Sequence, residues 1–116
     1  MNISALFGKT LADVKVTDDK TEIYFTTTSG QKFKMFHNQD CCERVLVEDV
    51  CGDLSDLIGS PILQADESRS EKKDEYDGAC EWTFYRLTTM KGQVVIRWYG
   101  TSNGYYSTSV DFCKVA

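Results

Sequence analysis

Apolar and polar positions alternate along much of this chain. Ile23 and Phe25 interleave with Glu22, Tyr24 and Thr26, and Phe33 and Met35 interleave with Lys32, Lys34 and Phe36. Period-two alternation is the mark of a strand with one buried face, and Ser29-Gly30 between the two runs predicts a β-hairpin. A weaker strand is expected over Ala12–Thr17. Arg44–Val50 is rich in β-branched residues and predicts another strand. Ile62–Ala65 reads as a short one. Glu81–Met90, with Trp82 and Phe84 on one face, turns at Lys91-Gly92 into Gln93–Tyr99. In that return strand Val94, Ile96 and Trp98 share a face and predict core, while Arg97 and Tyr99 point the other way. Asn103-Gly104 is a strong hairpin signal, and Tyr105–Phe112 is expected to close a three-stranded meander.

Two short helices complete the expectation. Asn2–Gly8 carries cap residues at its start and Gly at its end. Asp53 precedes Leu54–Ile58, Gly59 closes that run, and Pro61 prevents continuation. The fold class predicted is therefore α+β: mostly antiparallel sheet, a hairpin plus a C-terminal three-stranded meander, with one or two short helices. At 116 residues the chain is read as one domain over 1–116. Asp66–Asp77 holds six acidic and three basic residues without apolar periodicity, which predicts a mobile surface loop at 66–79.

Composition narrows the function classes. Hydrophobic residues are 41% and charged residues 27%, ordinary for a soluble globular protein, and one Pro excludes Pro-rich disorder. No apolar run approaches the roughly 20 residues of a membrane span. The opening residues lack a basic start followed by an apolar stretch, so a cytoplasmic protein without a signal peptide is expected. A net charge of −5 argues against direct nucleic-acid binding, which needs cations to displace counterions. It suits competition for a basic groove on another protein, and equally suits plain solubility.

The five cysteines, Cys41, Cys42, Cys51, Cys80 and Cys113, are read as free thiols. His37, Cys41, Cys42 and Cys51 are the only conceivable metal set. They lack a C-x-x-C and a second His, so no metal and no cofactor is expected. His37 is the sole histidine, and a Cys41–His37 pair oriented by Asp40 or Gln39 is the one catalytic arrangement available. A turn whose Asn, Gln and Asp satisfy backbone groups explains the same residues without chemistry. Asp40, Glu43, Glu48, Asp49 and Asp53 match no calcium-loop pattern and read as a solvated face. The second cluster is Arg97, Tyr99, Asn103, Tyr105 and Tyr106, aromatic groups around a tight turn suited to stacking or to gripping a partner.

The string Phe36-His37-x-Gln39-Asp40-Cys41-Cys42-Glu43, then Glu48-Asp49-x-Cys51-Gly52-Asp53-Leu54-x-Asp56-Leu57-Ile58-Gly59-Ser60-Pro61-Ile62, resembles a family of small phage and prophage proteins, a domain of unknown function. Trp82–Tyr85, Ile96-Arg97-Trp98-Tyr99-Gly100 and Ser102–Ser107 resemble it as well, so the likeness spans roughly residues 31 to 112. It implies an accessory protein that acts in a host cell by binding. The expectation is a non-enzymatic, counter-defence protein that blocks a host defence protein or sequesters a signalling nucleotide, a homodimer completing the pocket in the nucleotide case. The binding residues expected are His37, Gln39, Asp40, Cys41, Cys42, Arg97, Tyr99, Asn103, Tyr105 and Tyr106. The alternatives are a small Cys/His-dependent enzyme and a metal-stabilised binding module.

Overall fold

In the computed structural model, residues 2–39, 43–74, 78–102 and 108–115 are described, those of 71–74, 78 and 79 by backbone alone. The strands are β1 (Leu11–Val16), β2 (Glu22–Thr27), β3 (Lys32–Phe36), β4 (Arg44–Cys51), β5 (Gln64–Asp74), β6 (Gly78–Thr89), β7 (Gly92–Ser102) and β8 (Asp111–Lys114). They form two four-stranded sheets, in the orders β1-β2-β3-β8 and β4-β7-β6-β5. Every pairing between these strands is antiparallel.

The alternation seen in the sequence decides which faces meet. Ile23, Phe25, Phe33, Met35 and Phe112 on the first sheet share one core with Val45, Val47, Tyr85, Leu87, Ile96 and Trp98 on the second. The Trp98 indole N–H points across the core to Met35 Sδ, at 3.1 Å. A sheet-on-sheet sandwich follows, because each sheet has one apolar face to remove from water.

Several expectations change. The α component is not found among the described residues: Ile3–Leu6 and Leu54–Leu57 are single 3-10 turns. Their caps are real, with Asn2 and Asp53 side chains accepting from Ser4 and Ser55 backbone N–H groups. Each cap and its stop enclose too few residues to nucleate an α-helix. The acidic–basic stretch expected as a loop is strand to Asp74 and again from Gly78, pairing as Asp66↔Arg86 through Asp74↔Gly78. Its alternation is invisible in the sequence because residues 66–70 are exposed on both faces. The meander also fails to close as expected. β7 is flanked by β6 and β4 and has no free edge, so β8 crosses to the first sheet and pairs with β3. Among the described residues no helix is long and apolar enough to cross a membrane.

The chain leaves β4 through Gly52, whose φ is +105° and whose missing Cβ would lie 2.7 Å from the Gln93 carbonyl oxygen. Both the backbone angle and the contact require glycine there. Gly52→Ala is expected to destabilise the fold by about 2–4 kcal/mol. Equilibrium denaturant unfolding of the two proteins checks this, and a loss below about 1 kcal/mol would refute the packing argument.

Candidate functional site

Two segments carry the chain from sheet to sheet, 37–43 between β3 and β4 and 103–110 between β7 and β8. They meet at His37. Met35 points into the core, so the next position of the same parity, His37, is also turned inward, and its side chain is only 5% exposed. Its Nδ1–H donates to the Ser109 carbonyl oxygen at 2.7 Å, a bond between residues 72 apart. That bond fixes the ring and directs Nε2 at Glu43 Oε2, 3.6 Å away. The separation is longer than a hydrogen bond.

Glu43 is fully buried at its side chain. Gln39 Nε2 donates to its carbonyl oxygen at 2.6 Å and to its Oε1 at 2.7 Å. The expectation of a solvated carboxylate at Glu43 is thereby corrected. The signal was present in the sequence: Glu43 has the parity of Val45 and Val47, the inward residues of β4. Glu81 repeats the case on β6, in phase with Thr83, Tyr85 and Leu87, and is also buried. Thr108 Oγ1 lies 3.4 Å from its Oε1. The second crossing rests on Gly100, where a Cβ would come within 2.8 Å of Thr108 Cβ. Beside this network a cleft of about 370 Å³ opens between Thr21, Glu22, Lys34, Phe36, His37 and Gln39. Its volume is at the lower end of small-molecule sites.

Arg97 and Tyr99 lie elsewhere, side by side on the outer face of the second sheet. Tyr99 is opposite Trp82 and Arg97 opposite Phe84. The Trp82 and Tyr99 rings are 5.0 Å apart and tilted by 47°. Burial, with help from Cys80, raises the Tyr99 phenol above its ordinary pKa. The register shifts between Val47 and Asp49. A bulge of this kind turns neighbouring side chains to the same side. Here Glu48 Oε1 sits 2.8 Å from Arg97 Nε and Asp49 Oδ2 sits 3.8 Å from Nη2.

The structure therefore brings His37 and Gln39 together, brings Arg97 and Tyr99 together, and splits the two pairs between an inter-sheet crossing and an outer sheet face. Asp40, Cys41, Cys42, Asn103, Tyr105 and Tyr106 lie outside the described residues. Cys51 is exposed at the far end of β4, with its thiol 3.6 Å from Asp49 Oδ2, so it leaves the conceivable metal set. Among the described residues no three His, Cys, Asp or Glu side chains gather as a metal site. Sequence reasoning missed Glu43, Ser109 and Trp82 as site residues. Trp82 was visible as the strand neighbour of Phe84, and Ser109 acts through its backbone, which carries no side-chain signal.

Residues 4–112 match the family model described as a domain of unknown function, DUF7448, and the chain belongs to that family. No curated protein and no solved structure matches it.

The rim of the cleft gives a pH test. Glu22 Oε2 lies 2.8 Å from Lys34 Nζ and accepts from the Tyr24 hydroxyl at 2.8 Å. The Lys34 hydrogen bond, then that of Tyr24, holds the Glu22 carboxyl below its ordinary value of 4.5. A depressed carboxyl contributes stability above its unfolded pKa and loses it as pH falls through the folded value. Glu22→Gln is therefore expected to flatten the decline in melting temperature below pH 4.5. The same variant should return the Tyr24 phenol, raised above 10.0 chiefly by its bond to Glu22, to its ordinary range. Ultraviolet titration at alkaline pH reads the phenol and melting curves across the acid range read the carboxyl, and an unchanged acid limb would remove Glu22 from the account.

Proposed function

We propose that the chain is a phage accessory protein that counters a host defence by binding a host protein, without catalysing a reaction. One observation carries this reading: the outer face of the second sheet presents Trp82, Phe84 and Tyr99 half-buried around Arg97. Trp, Tyr and Arg are the residue types that dominate protein interfaces, and they do so when held rigidly at the centre of a patch. Here a four-stranded sheet holds them, on two of its central strands.

The nucleotide version of the same idea fares less well. A phosphate-bearing ligand needs an available cation, and Arg97 is already compensated by Glu48 and Asp49. A protein partner needs no free cation there, because its apolar groups can pack on the Trp82 and Tyr99 rings while Arg97 keeps its own carboxylates. The enzyme version asks His37 to serve as a base, while its ring nitrogens are directed at the Ser109 carbonyl and at Glu43.

The paired variant Trp82→Ala/Tyr99→Ala tests the reading. Tagged wild-type protein is expected to capture one host protein from a lysate of its bacterial host. The double variant should weaken that capture by at least about tenfold, as loss of a central aromatic anchor does. Melting temperature within a few degrees of wild type confirms that the sheet is intact. Equal capture by both proteins, or capture of nothing by the wild type, sinks the proposal.

A further inference from the structure

We propose that His37 Nε2 and Glu43 Oε2 are two ligands of a single divalent ion of the zinc class, bound where the two inter-sheet crossings meet. The His37 side chain is about nineteen parts in twenty buried, and among the described residues Nε2 has no hydrogen-bond partner. A buried ring nitrogen in that state is costly unless something occupies it. The group it faces is a carboxylate oxygen at 3.6 Å, too far for a direct hydrogen bond. Two donors bound at about 2.0–2.2 Å to one tetrahedral ion stand roughly 3.3–3.7 Å apart, so the 3.6 Å separation of this His–Glu pair has room for an ion held by both.

The surroundings have the form that metal-binding side chains take. A ligating imidazole ordinarily donates its other N–H to a carbonyl or carboxylate, which fixes the tautomer and aims the free nitrogen. His37 Nδ1–H does this to the Ser109 carbonyl at 2.7 Å. A ligating carboxylate is held in turn by a hydrogen bond to its second oxygen. Gln39 Nε2 does this to Glu43 Oε1 at 2.7 Å. Imidazole nitrogen with carboxylate oxygen suits zinc better than calcium or magnesium, which prefer all-oxygen shells. This site is independent of the aromatic face, so its failure leaves the partner-binding reading untouched.

The test uses the full chain, stripped with a chelator and kept reduced, and titrated with Zn²⁺. One zinc per chain is expected, with a rise in melting temperature on loading. His37→Gln and Glu43→Gln should each weaken zinc binding at least about tenfold. X-ray absorption at the zinc edge of the wild-type protein should show imidazole in the coordination shell, a reading that needs no variant to fold. Failure of the wild type to hold stoichiometric zinc overturns the proposal. So does a shell made of sulfur without imidazole, or a His37→Gln protein that binds zinc as tightly as the wild type.

Discussion

The structure depends on Trp98 facing inward. Its side chain is the largest of the fully buried ones, and its indole N–H spans the sandwich to Met35 Sδ. An indole buries a large apolar area but keeps one polar atom that needs a partner, so its position is tightly specified. A slip of β7 by one residue would put Trp98 in water and Tyr99 and Arg97 in the core. The same period-two rule that builds the core therefore places Tyr99 and Arg97 on the opposite side of the same strand.

How much of this was readable in the sequence depends on whether a strand has one wet face. β2, β3 and β7 do, and their inward residues Ile23, Phe25, Phe33, Met35, Val94, Ile96 and Trp98 were all legible from alternation. β5 was not, because its residues 66–70 are exposed on both sides and leave no hydrophobic period to read. The destination of β8 was hidden for another reason. Pairing consecutive strands is the natural expectation, but β4 had already taken the second edge of β7. That choice rests on contacts between residues some 50 positions apart, which no local pattern carries.

The candidate site shows the same division. His37 and Gln39 were visible as an unusual polar cluster, and their partner Glu43 was visible only if the β4 alternation was carried one step back beyond the apolar run. Buried acids in phase with a core face are easily mistaken for solvated ones, since charge alone suggests exposure. Ser109 contributes a carbonyl group, which any residue could supply, so its role follows from topology and not from its side chain.

The two regions differ in how they are built, and that difference fits their proposed roles. Trp82 and Tyr99 sit on the middle strands of a sheet, held on both sides by backbone ladders. A rigid platform of that kind loses little conformational freedom when a partner docks. His37 and Glu43 belong instead to crossings, where the backbone has no ladder to lie in and order must come from side-chain and backbone hydrogen bonds. The bond from His37 to Ser109 joins one crossing to the other, and Gly100 lets the second lie close on the sheet beneath. A backbone bond from Val47 N–H to the Lys20 carbonyl, at 2.7 Å, is a second tie between the two sheets. An ion held by His37 and Glu43 as proposed would add a link between the residue that follows β3 and the residue that precedes β4.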